Sequence, residues 1–339
     1  MGALLRRWVV SMAGYLVRRL AISLLLVFLA TSLAFVLASV TMKPRDNYLA
    51  RNPPVPESSV DGILDAVNQN DKTPVVTRYV TWITGVAHGD FGQTLSGDSI
   101  NEEMGRRIGV SLRLLLLGSI VGAVFGVLLG VWGALKQYKP SDRIATIFSF
   151  VMLATPVFVL ATVLKYGAVQ FNDLLGFKLI YFTGEITPGL QADFWGTLFN
   201  RFQHIILPTL AISLGEIALY SRYQRSAMLD VLGSDYLRTA QAKGLTRRQT
   251  FYKHGLRTAL IPMTVWFAFA FGTLIVGATF TEKIFSWQGM GAWFIDSIGA
   301  QDINVAAATT LFTAVLILVS TFLADVMRGF LDPRVRGNQ

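Results

Sequence analysis

The chain has 339 residues, of which 53% are hydrophobic and 15% are charged. Ordinary soluble domains carry roughly 25% charged residues, so this composition argues against a soluble globular protein. The sequence has no cysteine, which excludes disulfide frameworks, thiolate metal sites and cysteine nucleophiles, and its 3 histidines are too scattered to form a metal cluster. The net charge of +9 is, in so apolar a chain, more typical of cytoplasmic loops than of nucleic-acid binding.

Long apolar runs follow one another along the chain. A helix needs about 20 mostly apolar residues to cross a membrane, and a run of that length is too long for a buried strand. The first run is also longer than the apolar core of a secretory signal, so we interpret it as a retained span. The sequence therefore predicts an all-α membrane protein with six transmembrane helices, at about 20–42, 114–135, 144–164, 205–221, 260–280 and 303–327. Prolines inside or at the start of three spans predict kinks, at Pro156, Pro208 and Pro262.

Basic residues predict the orientation of these spans. Arginines and lysines are concentrated in the N-terminal segment 1–19, in the loop after the second span, in segment 222–259 and in the tail 328–339. Short loops rich in Lys and Arg stay in the cytoplasm, so both termini are expected there. Segment 43–109 is expected outside, since it is too long for its basic residues to decide the topology.

Two external segments carry aromatic residues. Within 43–109, Tyr79, Trp82, Ile83 and Val86 have helical spacing, which predicts a helix that covers the mouth of the bundle or contacts a soluble partner. Glycines interrupt aromatic residues in segment 281–302. This pattern is typical of a re-entrant or lid helix at a pore mouth, although packing within the protein explains it equally well. The candidate pathway or gate residues of this segment are Phe285, Trp287, Gly289 and Gly291.

The segment 222–259 contains a helix-glycine-helix pattern at residues 235–246, which we call the elbow. Ser234 or Asp235 can cap a short helix from Tyr236 to Lys243. Gly244 permits the left-handed conformation that ends it, and Thr246 with Gln249 forms a capping box that starts a second helix. Such an elbow can dock into a groove of another protein, although a solvated basic loop is the simpler interpretation.

Enzyme motifs are absent from the sequence. It has no phosphate-binding G-x-x-x-x-G-K-[ST] stretch, no H-E-x-x-H and no G-x-S-x-G, so the chain is expected not to be an enzyme. Glu216 lies about one and a half turns from the inner end of the fourth predicted span. A carboxylate at that depth suggests a role in the pathway or gate, or a hydrogen bond between helices.

The stretch DYLRTAQAKGLTRRQTFYKHGLRTALIP, residues 235–262, resembles the cytoplasmic loop signature of permease subunits of bacterial binding-protein-dependent ABC importers. It is most similar to the dipeptide and oligopeptide branch. The similarity extends to YLVRRLAISLLLVFL, RYVTWITGVAHGDFGQTL, HIILPTLAISL, FTEKIFSWQGMG and DPRVR, and so covers most of the chain. The family signature begins with Glu-Ala-Ala, where this chain has Arg238, Thr239 and Ala240.

The resemblance implies a type I ABC importer permease in the bacterial plasma (inner) membrane, with a core permease domain at 110–327. It implies alternating access, driven by ATP and Mg on partner subunits with no cofactor in this chain. The implied partners are a second permease, two nucleotide-binding ATPase subunits or domains, an external substrate-binding protein, a peptide and membrane lipid. The residues implied to contact the ATPase are Asp235, Tyr236, Arg238, Thr239, Ala240, Lys243, Gly244, Leu245 and Thr246.

Other transport functions stay open at this point. Within the same resemblance, the cargo can be a nickel complex or glutathione instead of a peptide. From a different class, a stand-alone secondary transporter would use Glu216 as its coupling carboxylate and would work without an ATPase.

Overall fold

The computed structural model describes the backbone of residues 2–331, except 51 and 54. Side chains at 2–13, 15, 16, 269, 271, 273, 275, 276 and 328–331 lie outside this description. Within the described residues the chain is helical and contains no β-strand. The helices are α1 Gly2–Thr41, α2 Asp46–Leu49, α3 Glu57–Ala66, α4 Val75–Ala87, α5 Ile100–Leu135, α6 Pro140–Ala154, α7 Val157–Leu175, α8 Phe194–Leu232, α9 Asp235–Ala242, α10 Arg247–Thr250, α11 Arg257–Ile284, α12 Met290–Gly299 and α13 Ile303–Leu331.

Four helical stretches of the described chain are long and apolar enough to cross a membrane: Val17–Leu49, Ile100–Leu135, Phe194–Leu232 and Ile303–Met327. A fifth candidate is the pair α6 and α7, which meet at an angle of 106°. The predicted run 260–280 lies within α11, but several of its side chains are outside the described part. Apolar length therefore identifies four spans, or five with the bent pair, and does not confirm six.

The predicted span 144–164 is broken in the middle. Thr155 has an extended backbone, with ψ 120°, and Pro156 is the N-cap of the next helix. Proline has no N–H to continue the hydrogen-bond ladder and disfavours the helical conformation of the residue before it, which explains the break. In contrast, Pro208 and Pro262 lie inside the continuous helices α8 and α11.

Helices α5 and α8 approach each other along a row of glycines. Gly118, Gly122, Gly126 and Gly130 are spaced four residues apart on α5 and are therefore close to one face. A Cβ atom added at Gly122 would lie 2.4 Å from Glu216 Cβ, and one added at Gly126 would lie 2.5 Å from Tyr220 Cβ. Small residues at this spacing let two helix backbones come close enough for extensive van der Waals contact in a membrane.

The external segment packs on the ends of α1 and α13. Trp82 on α4 stacks on Phe35 of α1, with ring centroids 4.8 Å apart, and both belong to a core that includes Ile303. The helical spacing predicted from Tyr79 to Val86 is thus confirmed, and its apolar face is buried. Asp302 accepts hydrogen bonds from Leu95 N at 2.8 Å and Gln69 Nε2 at 3.0 Å, which fixes the segment to the start of α13.

An ion-pair cluster holds the first part of the external segment together. Arg45 Nη2 lies 2.7 Å from an Asp71 carboxylate oxygen and 2.6 Å from an Asp61 oxygen. The hydrogen bond from the Arg45 guanidinium lowers the pKa of Asp71 below its ordinary value. Since Arg45 itself is buried, this contact ties residues near α2 to the turn before α4.

Candidate functional site

The elbow has the local geometry that its sequence predicts. Gly244 adopts φ +93°, the left-handed region that ends α9. Thr246 Oγ1 accepts a hydrogen bond from Gln249 N at 3.2 Å, and Gln249 Oε1 accepts one from Thr246 N at 3.0 Å, so the capping box is confirmed. Ser234 occupies the N-cap position of α9, but its hydroxyl donates to Val231 O instead of capping the helix.

One apolar residue anchors the elbow to the rest of the chain. Leu237 is buried, and its Cδ1 lies 3.6 Å from the position that a Cβ on Gly255 would occupy. Ala240 is half-buried and Gly244 is exposed, so the face that these three share is only partly covered within this chain. Most of the residues implied to contact an ATPase are exposed, namely Asp235, Tyr236, Arg238, Thr239, Lys243, Gly244 and Thr246, while Leu245 is half-buried.

A π-helical segment, Phe251–Leu256, connects the elbow to α11. Such segments are rare and occur often at functional sites. Its Gly255 is buried against side chains of Met228 and Val231 on α8, so the elbow, α8 and the start of α11 form one packed unit. The sequence gives no recognisable signal for this segment.

An ion pair that the sequence did not reveal lies close to the elbow. Arg225 on α8 donates two hydrogen bonds to the Asp142 carboxylate, Nε to Oδ1 at 2.7 Å and Nη2 to Oδ2 at 2.7 Å. Asp142 is 3% exposed, and this two-pronged geometry makes a strong, directional contact. The start of α6 is thereby fixed to the end of α8 that leads into α9.

The four candidate gate residues of segment 281–302 lie inside the packed structure. Phe285 is 0% exposed and Trp287 is 1% exposed, each within an apolar core. A Cβ on Gly289 would lie 2.4 Å from the Glu282 carboxyl group, and one on Gly291 would lie 2.6 Å from Thr279. These contacts explain the residue types by packing, and a role in a gate stays a prediction.

Glu282, which no sequence motif identifies, connects this segment to its neighbours. Its carboxylate accepts hydrogen bonds from Ser111 Oγ at 2.6 Å and from Ala292 N at 2.9 Å. It joins α5, the end of α11 and the start of α12. The sequence shows a glutamate just before the glycine-rich stretch, which could have identified Glu282 as a candidate. Only the fold shows that this side chain is 1% exposed.

Glu216 lies deeper in its helix than the sequence indicated. Helix α8 continues to Leu232, about 24 Å beyond Glu216 at 1.5 Å per residue, so the helix extends beyond residue 221, where the membrane span was predicted to end. Tyr220 and Gln224 follow on the same face at intervals of four residues. All three are buried, and among the described residues Glu216 Oε2, Tyr220 OH and both Gln224 amide atoms have no hydrogen-bond partner.

These three side chains form a buried polar row within an apolar helix bundle. Ionisable residues inside membrane spans are costly and are often functional. The row lies where α8 packs on the glycines of α5, and Tyr220 also contacts residues of α11. The structure thus brings together Glu216, Tyr220 and Gln224 on one face of α8.

Residues 126–337 match the family model described as binding-protein-dependent transport system inner membrane component. The oligopeptide transport system permease protein OppB of Mycobacterium tuberculosis is 47% identical over 325 residues, covering 96% of this chain and 99% of that protein. The oligopeptide permease AppB of Bacillus subtilis is 32% identical, with 96% of this chain and 99% of that protein covered.

Solved structures show the same fold at low sequence identity. A chain of the inward-facing MetNI methionine ABC transporter superposes with a TM-score of 0.50 at 16% identity, covering 67% of this chain and 95% of that chain. A chain of an amino acid ABC transporter crystallised with histidines gives a TM-score of 0.51 at 14% identity, with 74% and 98% covered. The comparison supports the ABC importer permease fold.

Proposed function

Because the chain belongs to the family of binding-protein-dependent transport system inner membrane components, we propose that it is the transmembrane subunit of an ATP-driven peptide importer. The observation that carries this proposal is the 47% identity, over 96% of the chain, to a protein named as an oligopeptide permease. Relatives named as dipeptide permeases, at 30% identity in Bacillus subtilis, support the same cargo class.

The elbow is the proposed contact with the ATPase. It presents polar and small residues outward, and its conformation is fixed by Gly244 and by the capping box at Thr246. A rigid protrusion can transmit motion between subunits, whereas a disordered loop would absorb it. ATP and Mg belong to the partner subunits, and their energy enters this chain only through a contact that differs between states.

The proposed topology has six spans in the plasma (inner) membrane. They are the four apolar stretches, the bent pair α6 and α7 counted as one, and α11. Both termini and the elbow are placed in the cytoplasm because the basic loops are expected there.

The proposed assembly contains a second permease, two nucleotide-binding subunits or domains and an external substrate-binding protein. The binding protein would dock on the outer side, formed by segments 43–109 and 281–302. These two segments are joined by the hydrogen bonds of Asp302 to Leu95 and Gln69, which supports a single docking surface.

Copurification from native membranes tests the proposal. We expect mass spectrometry to find a second permease and nucleotide-binding subunits, and we expect peptide-loaded binding protein to stimulate ATP hydrolysis. Uptake by the isolated chain without ATP would contradict the proposal and favour a secondary transporter. In that case Glu216→Gln should abolish uptake, whereas an ATP-driven importer needs no protonation of that residue.

A further inference from the structure

A crevice with a volume of about 1100 Å³ separates the elbow from the helix ends behind it. Its walls come from the ends of α5 and α8, from α9 and α10, and from the start of the π-helical segment. The apolar part of the lining includes Leu229, Leu232 and Leu237. The polar part includes Arg238, Arg247 and Arg248, which gives this crevice a strong positive charge.

The charge of the crevice is only weakly neutralised within the described residues. None of the side chains that line it is a carboxylate. Arg238 lies 3.6 Å from Asp235, but both side chains are largely exposed, so that pair is weak. Three guanidinium groups around one crevice form a site for an anion with several oxygens, because each guanidinium presents its donors in a planar fork.

A second, independent feature points to a ligand. Thr250 lines the crevice and is 1% exposed, yet its hydroxyl has no hydrogen-bond partner among the described residues. Buried hydroxyls are nearly always paired, because an unpaired one loses its hydration without compensation. A bound anion oxygen would accept the Thr250 hydrogen bond and would also face the arginines.

We propose that this crevice binds a phosphate group, held by Arg238, Arg247, Arg248 and Thr250. Phosphate suits the site better than a single carboxylate because it offers three or more acceptor oxygens to donors on different sides. The crevice is also large enough for a phospholipid headgroup. The assignment of the phosphate group to a lipid rests on the proposed function, because the proposed topology places the crevice beside the anionic inner leaflet of the membrane. Binding of a phosphate group as such does not depend on it.

Native mass spectrometry of the purified complex in neutral detergent tests this site without measuring transport. The complex is titrated with phosphatidylglycerol, with phosphatidylcholine and with inorganic phosphate. The test variant is Arg247→Gln with Arg248→Gln. The matched control is Lys139→Gln with Arg143→Gln, which removes two exposed positive charges at the start of α6, outside the crevice.

We expect the complex to bind phosphatidylglycerol or inorganic phosphate at least tenfold more tightly than the test variant, because hydrogen bonds to charged groups contribute this much each. The control variant should bind like the unchanged protein, and Thr250→Val should weaken binding with little change in shape. Preference for phosphatidylglycerol over phosphatidylcholine assigns the group to a lipid, whereas tight inorganic phosphate binding without lipid preference assigns it to a soluble ligand. Equal affinities for the unchanged protein and the test variant would overturn the proposal, even if the complex transports peptides.

Discussion

Replacing Gly244 tests how much the backbone conformation of the elbow contributes to the proposed coupling. Gly244 has φ +93°, and a Cβ added there would meet no atom within 4 Å. Gly244→Ala therefore introduces no clash, and its whole effect comes from forcing a side chain into the left-handed region. That costs ~1–2 kcal/mol, which lowers the ratio of the native elbow conformation to its alternatives roughly 5- to 30-fold.

Gly233 provides a matched control on the other side of α9. Its φ is −80°, and the atom nearest to an added Cβ would be 3.7 Å away, so Gly233→Ala introduces neither strain nor clash. Asparagine tolerates the left-handed region better than alanine, so Gly244→Asn should be affected less than Gly244→Ala.

The assay compares peptide-stimulated ATP hydrolysis and ATP-driven uptake in proteoliposomes that contain equal amounts of the complex. We expect Gly244→Ala to lower both, by at most roughly 5- to 30-fold, Gly244→Asn to lie between, and Gly233→Ala to match the unchanged protein. If Gly244→Ala and Gly233→Ala behave alike, the left-handed conformation is not needed for coupling and the reasoning is refuted.

Three further substitutions test other contacts. Gly122→Ala should lower the melting temperature of the complex, because overpacking costs ~1–3 kcal/mol. Gly105→Ala is the control, since it lies on the same helix and no atom is within 4 Å of the new Cβ. Equal melting temperatures for the two variants would contradict the close approach of α5 and α8. Asp142→Asn should also lower the melting temperature, by weakening the two hydrogen bonds from Arg225, and an unchanged value would show that this pair adds no stability. Ionised Asp71 stabilises the external segment through its contact with Arg45, which lowers the pKa of Asp71. This stabilisation is fully present at pH values above the ordinary aspartate pKa and is lost as the pH falls through the lowered pKa. Limited proteolysis should therefore rise more steeply with acidification in the unchanged protein than in Asp71→Asn, and parallel curves would contradict this linkage.

Local signals made the elbow predictable. Gly244, Thr246 and Gln249 act within a few residues of one another, so their conformations follow from side-chain chemistry that the sequence displays directly. The spacing of aromatics on α4 was predictable for the same reason. The π-helical segment was not, because its extra residue per turn leaves no periodic pattern in six residues.

The fourth span was predicted to end at about residue 221 because charged residues follow it, and the helix itself continues to Leu232. Arg222 lies over the Phe150 ring, 4.7 Å from its centroid, and Arg225 is paired with Asp142. These partners are more than seventy residues away along the chain, so the sequence alone shows two arginines where a membrane helix should stop. Once the charges are paired, the helix continues.

The glycine row was visible in the sequence, but its meaning depends on the opposing helix. Four glycines at intervals of four can serve a close approach or simply weaken a helix. Only the fold shows that Glu216 and Tyr220 pack on Gly122 and Gly126. The burial of Gln224 could not be predicted for the same reason, because it depends on which helix packs against α8.

The tight contact between α5 and α8 makes them a single lever. Helix α8 has 39 residues, which gives it a length of about 58 Å at 1.5 Å per residue. A tilt of about 10° at one end displaces the other end by roughly 10 Å over that length. Because the glycine row brings the two helices into direct contact, a tilt of α8 would have to move α5 with it.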